Sequence, residues 1–508
     1  MTTTARLIFL LLLCGCATHL YAQGVARLIP GEADVIREHQ FGISVVVQGE
    51  EVLVGSVGGD RGHSYAGAVH VFQRRADEWV PYDTLRGPGG EERYGFGRTM
   101  AVEGDYALFS GDRYRVGDYD WSSGSVFVFK REGGRWRASA RIIPPDTTGV
   151  QWFGRTMALR GRYAFIGAYE KGTRPHGARD GVVYIFERSG NQWIERAALT
   201  VPPYGSEGLD RRGHYFGQAF CATEDVVVVG APRDKRHAAG AAYVFERDGE
   251  AWTMRARLIP SDGEAHDRFG EAIVCRGDTV LVSAYSSGFT YTFKRIDGQW
   301  TEQPERVTLP GGPVEGCDLL VKAWHGDYLF LQAWEAFGDL NYVGFVYVFK
   351  REGGRWRMLR KLKAPDVSEG DGFGETLAMD GDWVVIGVPW KDTFVEEEGV
   401  VYVVHRRTID RSVDAPTSPP SYVLGFAKNY PNPFSQSTTI RYSLPQEMHV
   451  RLQVYDALGR RVATLVDARQ RPGLYERDFD ANGLPSGVYF LRFHVDNRPF
   501  TRTMLVQR

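Results

Sequence analysis

The sequence predicts an all-β fold, a closed ring of seven four-stranded units followed by a small Ig-like β-sandwich. Three observations predict it. First, an eight-residue strand that opens on Gly, alternates apolar residues and ends in Arg occurs seven times: 67–74 (GAVHVFQR), 124–131 (GSVFVFKR), 181–188 (GVVYIFER), 240–247 (GAAYVFER), 288–295 (GFTYTFKR), 344–351 (GFVYVFKR) and 399–406 (GVVYVVHR). The copies start roughly 50–60 residues apart, a period at which each unit needs neighbours to bury its faces. Second, further landmarks recur in register with that strand. Third, the last part of the chain alternates with period two between turn clusters and carries none of those landmarks.

At the N-terminus, Arg6 followed by Leu7–Leu13 and by Tyr21-Ala22-Gln23 reads as a secretory signal peptide over residues 1–22. A lipoprotein-type site at Leu13-Cys14-Gly15-Cys16 is the rival, with Cys14 fitting it poorly. The apolar run is too short to span a bilayer, and no later segment reaches spanning length.

Residues 23–407 hold the repeats. Each unit opens on Phe-Gly, at Phe41, Phe96, Phe153, Phe216, Phe269 and Phe373; the sixth unit has Asp318-Leu319 in that slot. Strand one is expected to begin there. A turn Gly follows at 49, 104, 161, 277, 326 and 381, with Glu224 departing, as a tight hairpin requires. Strand two is a nearly continuous apolar run, such as Trp383-Val384-Val385-Ile386, which means burial on both faces. Strand three is the Gly-to-Arg strand. Strand four starts at Trp79, Trp136, Trp193, Trp252, Trp300 and Trp356. Such units close into a β-propeller. The seventh unit has no Trp strand, whereas residues 25–30 match the end of a fourth strand and stand alone before the first Phe-Gly. The first strand is therefore expected to complete the seventh blade and remove two open sheet edges. Residues 408–422 are polar and Pro-rich and read as a linker to a domain at 423–508.

These landmarks resemble the FG-GAP repeat family, whose propeller is similar to the integrin α-subunit head. The tail contains Asn429, Pro431, Asn432, Pro433 and Phe434, then Tyr455, Asp456 and Gly459, then Gly487, Val488 and Tyr489. In order and spacing it resembles the type A sorting domain of type IX secretion, found in Bacteroidetes-like bacteria. That resemblance implies export through the outer membrane, the type IX machinery as partner, and a secreted or cell-surface location. The family often ends in a Lys-rich strand, and this chain ends instead on Arg502-Thr503-Met504-Leu505-Val506-Gln507-Arg508.

Charge is balanced, 61 Lys plus Arg against 63 Asp plus Glu, which argues against a nucleic-acid partner. Cys221, Cys275 and Cys317 read as small buried hydrophobes, since none has a second ligand at metal spacing. No Asp-x-Asp-x-Asp-Gly calcium loop occurs; Asp112, Asp118 and Asp120 come nearest, with Arg113 and Arg115 between them. No cofactor is expected, and no nucleophile elbow, zinc-protease or phosphate-loop motif is found. The strand 2–3 loops carry aromatics and charge on one face, with Tyr114, Tyr119, Trp121, Arg174, His176, Trp334 and Trp390 as the candidate ligand face. The expected function is non-enzymatic adhesion, recognition or scaffolding, directed at an extracellular glycan or surface protein. The alternative is an extracellular hydrolase of polysaccharide or other polymers, because propellers host such sites too.

Overall fold

The computed structural model describes residues 19–21, 25–29, 40–57, 67–88, 95–111, 124–145, 152–169, 181–201, 214–234, 237–309, 318–337, 341–368, 370–391, 398–410, 425–426, 429, 432–444, 447–471, 473–495 and 498–507. Nearly all of this is strand, with one short helix at Arg406–Asp410.

Seven antiparallel sheets follow the repeats, over residues 44–85, 100–142, 156–199, 220–258, 269–307, 318–362 and 376–405, and are numbered here as blades 1 to 7. Within blades 1 to 6, strands one to four lie side by side in chain order. The first strands neighbour one another in a circuit that returns from blade 7 to blade 1. In blade 7, Val25–Leu28 pairs with Val400–His405 as the fourth strand, with Leu28 opposite Val401 and fully buried. His19–Tyr21, inside the segment read as a signal peptide, pairs along the outside of Val25–Leu28.

Strand one does not begin at Phe-Gly, except in blade 5. Phe41-Gly42 precede Ser44–Gln48, because Phe-Gly forms the centre of a β-turn closed by Ile43 N–H donating to the Gln40 carbonyl at 3.0 Å. Gly42 sits at φ 92°, the conformation a type II turn requires at that corner. The same closure recurs at Arg98, Arg155, Gln218, Glu271 and Glu375.

The signature residues join blades. The Phe41 N–H donates to the Glu398 carbonyl at 2.9 Å, and a Cβ on Gly399 would lie 2.2 Å from the Phe41 oxygen. Only Gly allows blade 1 so close to blade 7. Hydroxyls then cross several seams: Ser44 Oγ donates to the Gly97 carbonyl at 2.6 Å, Thr156 Oγ1 to Gly217 at 2.7 Å and Thr376 Oγ1 to Gly42 at 2.6 Å. On the opposite face the terminal Arg of strand three reaches the preceding blade. Arg74 lies 4.8 Å from the Trp383 ring, Arg188 3.9 Å from Tyr106 and Arg247 5.3 Å from Tyr163. Arg131 pairs with Glu51 at 2.5 Å, and the Trp136 indole N–H donates to the same carboxylate at 2.9 Å. Each such contact contributes on the order of 1 kcal/mol, and the ring repeats them seam after seam.

Cys221 and Cys275 are not separate buried thiols. They form a disulfide between the first strands of blades 4 and 5, with Cα atoms 5.8 Å apart. Cys317 lies outside the described residues.

The tail has two sheets. Gly425–Phe426, Ser437–Leu444 and Gly473–Asp480 form one, and Arg461–Gln470, Met448–Asp456, Gly487–Val495 and Arg498–Val506 form the other. Ile440, Leu444 and Phe479 of the first share one core with Val450, Leu452, Leu491 and Phe493 of the second.

Candidate functional site

Tyr114, Tyr119, Trp121, Arg174 and His176 lie outside the described residues, as do Asp112, Asp118 and Asp120. Trp334 and Trp390 are described and are brought together. Their rings lie 6.1 Å apart and tilted by 31°, both half-buried, from blades 6 and 7. Trp390 rests on Gly372, where a Cβ would approach the ring to 2.5 Å. Trp334 sits directly across the strand pair from Asp318, so the two side chains share a sheet face.

Around the circuit from Asp318, the turn before each Phe supplies a second group of residues. Gly95 and Gly372 occupy that position in blades 2 and 7 with φ 78° and 79°. In blades 3, 4 and 5 the same left-handed conformation is held by Trp152 at φ 65°, Tyr215 at 54° and Arg268 at 53°. Side chains rarely tolerate this region, which costs about 1–3 kcal/mol at such residues. Gly is the relaxed choice, and four blades do without it: blades 3, 4 and 5, and blade 1, where Gln40 sits at φ 58°.

Each of these three turns carries an arginine stacked on an aromatic ring. The Arg155 guanidinium lies 3.9 Å from the Trp152 ring, Arg233 lies 4.6 Å from Tyr215, and Arg268 lies 5.1 Å from Tyr285. Tyr215 is also stacked on Tyr169, with centroids 6.1 Å apart and planes at 25°. None of these residues belongs to the candidate ligand face that the sequence offers. The available signal was the residue before Phe-Gly, which is Gly in two units, Gln in one and Trp, Tyr or Arg in three.

Two carboxyl groups complete the cluster. The Gln218 side-chain amide donates to Glu271 at 2.8 Å across the seam between blades 4 and 5. Burial pushes the Glu271 carboxyl above its ordinary value, opposed by the Arg268 and Arg233 guanidinium groups and the Gln218 hydrogen bond. Burial also raises Asp318, which accepts a hydrogen bond from Tyr285. The Tyr285 phenol is pushed up to about 12, by burial first and then by that hydrogen bond. The arrangement offers planar cationic donors, aromatic faces and two carboxyl groups inclined toward their neutral forms. Among the described residues, no group of three or more His, Cys, Asp or Glu is placed to hold a metal ion.

The sorting-motif residues divide between core and edge. Asn429 is buried and its amide donates to Thr438 Oγ1 at 3.0 Å. Asn432 acts as a strand of one side chain. Its Oδ1 accepts from Leu505 N–H at 2.8 Å and its Nδ2 donates to the Thr503 carbonyl at 3.1 Å, covering the outer edge of Arg498–Val506. Pro433 follows it, and Phe434 extends that cover and enters the core. Asp456 accepts from the backbone of Leu458 and Arg460 and from the Arg460 side chain, which holds its carboxyl below the ordinary value. Gly459, at φ 76°, lets that turn close. Tyr489 packs inward and donates its hydroxyl to the Pro485 carbonyl at 3.0 Å, whereas Tyr455 and Val488 point away from the core. Val488 faces Leu505 across Gly487–Val495 and Arg498–Val506. Pro431 lies outside the described residues.

Comparison with known proteins bears on both parts. A family model described as FG-GAP repeat matches residues 136–186, 211–245, 252–293 and 356–404. A second, described as secretion system C-terminal sorting domain, matches residues 428–507. No curated protein matches the chain. Among solved structures, PorZ, an essential surface component of the type-IX secretion system of Porphyromonas gingivalis, shares 13% identity at a TM-score of 0.43. That match covers 92% of this chain and 60% of PorZ, so the chain spans less than two thirds of PorZ's length. The periplasmic gluconolactonase PpgL of Pseudomonas aeruginosa shares 11% identity at TM-score 0.40, covering 80% and 94%. The β-propeller domain of the Trilobed protease from Pyrococcus furiosus shares 12% at 0.39, covering 69% and 91%. At such identities the likeness concerns the fold alone. No described helix is long and apolar enough to cross a membrane.

Proposed function

We propose that this chain, an FG-GAP repeat β-propeller protein carrying a type IX secretion sorting domain and therefore delivered to the cell surface or beyond, is a recognition protein. Its ring binds an extracellular polymer or surface partner at the face bearing the Phe-Gly turns, and it does so without catalysis. The observation that supports this best is the run of three strained turns in blades 3, 4 and 5, each with an arginine laid on an aromatic ring. Packing of the ring explains the Gly, Phe, Trp and terminal Arg of each repeat, but it has no use for strain at Trp152, Tyr215 and Arg268. Backbone strain retained in adjacent units fits a site shaped for a ligand.

The test is a binding screen of the secreted full chain against arrays of glycans and outer-membrane proteins. The paired substitution Trp334→Ala and Trp390→Ala is expected to weaken any hit while the ring stays folded. A ligand that binds the paired variant unchanged and also binds a Trp152→Gly, Tyr215→Gly variant unchanged places recognition elsewhere.

One observation favours the hydrolase reading. Glu271 and Asp318 lie close enough to influence each other, and burial raises both carboxyl groups, as an acid catalyst needs. Yet each is already engaged, by Gln218 and by Tyr285. Incubating the protein with each polymer it binds and measuring new reducing ends separates the readings: cleavage abolished by Glu271→Gln supports the enzyme.

A further inference from the structure

The ligand's chemistry can be read from the arginines. Arginines along the outer seams are paired: Arg74 with Glu50, Arg131 with Glu51, Arg295 with Glu246 and Asp278, and Arg406 with Asp382. The ladder differs. Among the described residues, Arg233 and Arg268 make no salt bridge, and each is held by a ring instead. A guanidinium carbon lying over an aromatic ring still has in-plane N–H donors that can fork onto a carboxylate. The stack also removes rotamer freedom before any ligand arrives, so less is lost on binding.

Position in the repeat adds to this. The residue after Phe-Gly is presented by the same closed turn in six blades, as Ile43, Arg98, Arg155, Gln218, Glu271 and Glu375. Cations therefore occupy blades 2 and 3, an amide blade 4, and acids blades 5 and 7, with Asp318 in the divergent blade 6. Arg233 and Arg268 extend the cationic side into blades 4 and 5. Glu271 lies within electrostatic reach of both, yet its hydrogen-bond partner is the Gln218 amide rather than either guanidinium. Beyond Asp318 the circuit changes character to the half-buried indoles of Trp334 and Trp390.

We propose that the ring face binds an acidic polysaccharide containing uronate units, taking a carboxylate on the Arg233–Arg268 side and sugar rings on the indole side. This rests on the recognition reading above. Hydroxyl groups suit the Gln218 amide, which donates and accepts, and the carboxyl oxygens of Glu271 and Asp318, which accept. Asp318 and Glu375 repel a second closely spaced anion, so the preferred polymer carries its carboxylates among neutral sugars. That selection favours such a glycan over a polyanionic peptide such as polyglutamate, whose charges sit on every residue.

The experiment titrates the full chain with three fluorescently labelled polymers: hyaluronan oligosaccharides, in which a uronate alternates with a neutral sugar, a neutral β-glucan, and polyglutamate. Hyaluronan is expected to bind at least about tenfold more tightly than the other two, with affinity falling as salt rises from about 0.05 to 0.5 M. Arg233→Gln with Arg268→Gln is expected to cost about tenfold in hyaluronan affinity and to leave the melting temperature unchanged. If the variant melts early, the salt dependence of the native protein still decides. Equal or tighter binding of polyglutamate overturns the inference. So does salt-independent binding of the β-glucan that Trp334→Ala abolishes, although that result leaves the recognition reading standing. Binding of none of the three polymers overturns the inference and returns the recognition reading to its own screen.

Discussion

Replacing Cys221 and Cys275 together by Ser tests how firmly the ring is held beside its candidate site. The disulfide spans a sequence separation of 54 residues, nearly one repeat, and ties the first strands of adjacent blades. Closing a loop of that size in the unfolded chain is worth about 4 kcal/mol on chain-entropy grounds, with less expected where the unfolded ring keeps residual contacts. Unfolding entropies near 2.1 cal/mol/K per residue give a ring of this size roughly 0.8 kcal/mol/K, so the loss corresponds to a melting shift of about 5 °C. Scanning calorimetry of the native protein, the double variant and the native protein under reductant measures it. The variant and the reduced protein are expected to melt together, about 5 °C below the oxidised protein. A shift under about 1 °C in both refutes the reasoning, because the two strands are then held together without the bond. Gln218 and Glu271 sit three and four residues from the two cysteines, so loosening this seam is also expected to weaken the polymer binding proposed above.

Other outcomes follow from the same structure. Leu28→Ala is expected to cost about 3 kcal/mol, and deleting residues 25–29 more, because the strand fills the seventh blade and Leu28 is fully buried; an unchanged melt contradicts the closure. Glu271→Gln is expected to flatten the acid side of the stability curve. The folded protein holds this proton more tightly than the unfolded chain, so native stability falls as pH rises from the ordinary value of 4.5 through the raised one. The variant should match the native protein below that interval and exceed it above; chemical melts at a series of pH values show which holds. Removing residues 421–508 is expected to strand the ring in the periplasm, and cell fractionation that finds it outside contradicts the address reading of the tail.

The all-β class and the four-stranded units were legible because each repeat spells its own geometry. Alternation marks strand three, continuous apolar runs mark the doubly covered strand two, and Gly49 and its equivalents mark hairpins. The reason for the Phe-Gly pair was less legible, since a strand start and a type II turn share a Gly and only coordinates separate them. Cys221 and Cys275 looked unrelated because each was judged within its own unit, although one repeat of separation places two first strands side by side. The candidate site was legible where a single loop announced it, as with Trp334 and Trp390. It was hidden where it is assembled across seams. Arg233, Arg268 and Tyr285 are ordinary in sequence and acquire meaning when stacking sets them beside Glu271. Tyr114, Tyr119, Trp121, Arg174 and His176 fall outside the described residues, so they stand as sequence expectations.

The measurement that bears most directly on the function is a paired reading of stability and binding for Trp152→Gly with Tyr215→Gly. Both residues sit at left-handed φ, where Gly95 and Gly372 serve the same turn elsewhere in the ring. Relief of strain worth about 1–3 kcal/mol per residue should outweigh or balance the flexibility that Gly adds. The variant is therefore expected to melt no lower than the native protein while losing its affinity for hyaluronan oligosaccharides. A lower melting temperature with binding intact would show that these side chains serve the fold, and that the face they line is not a recognition site.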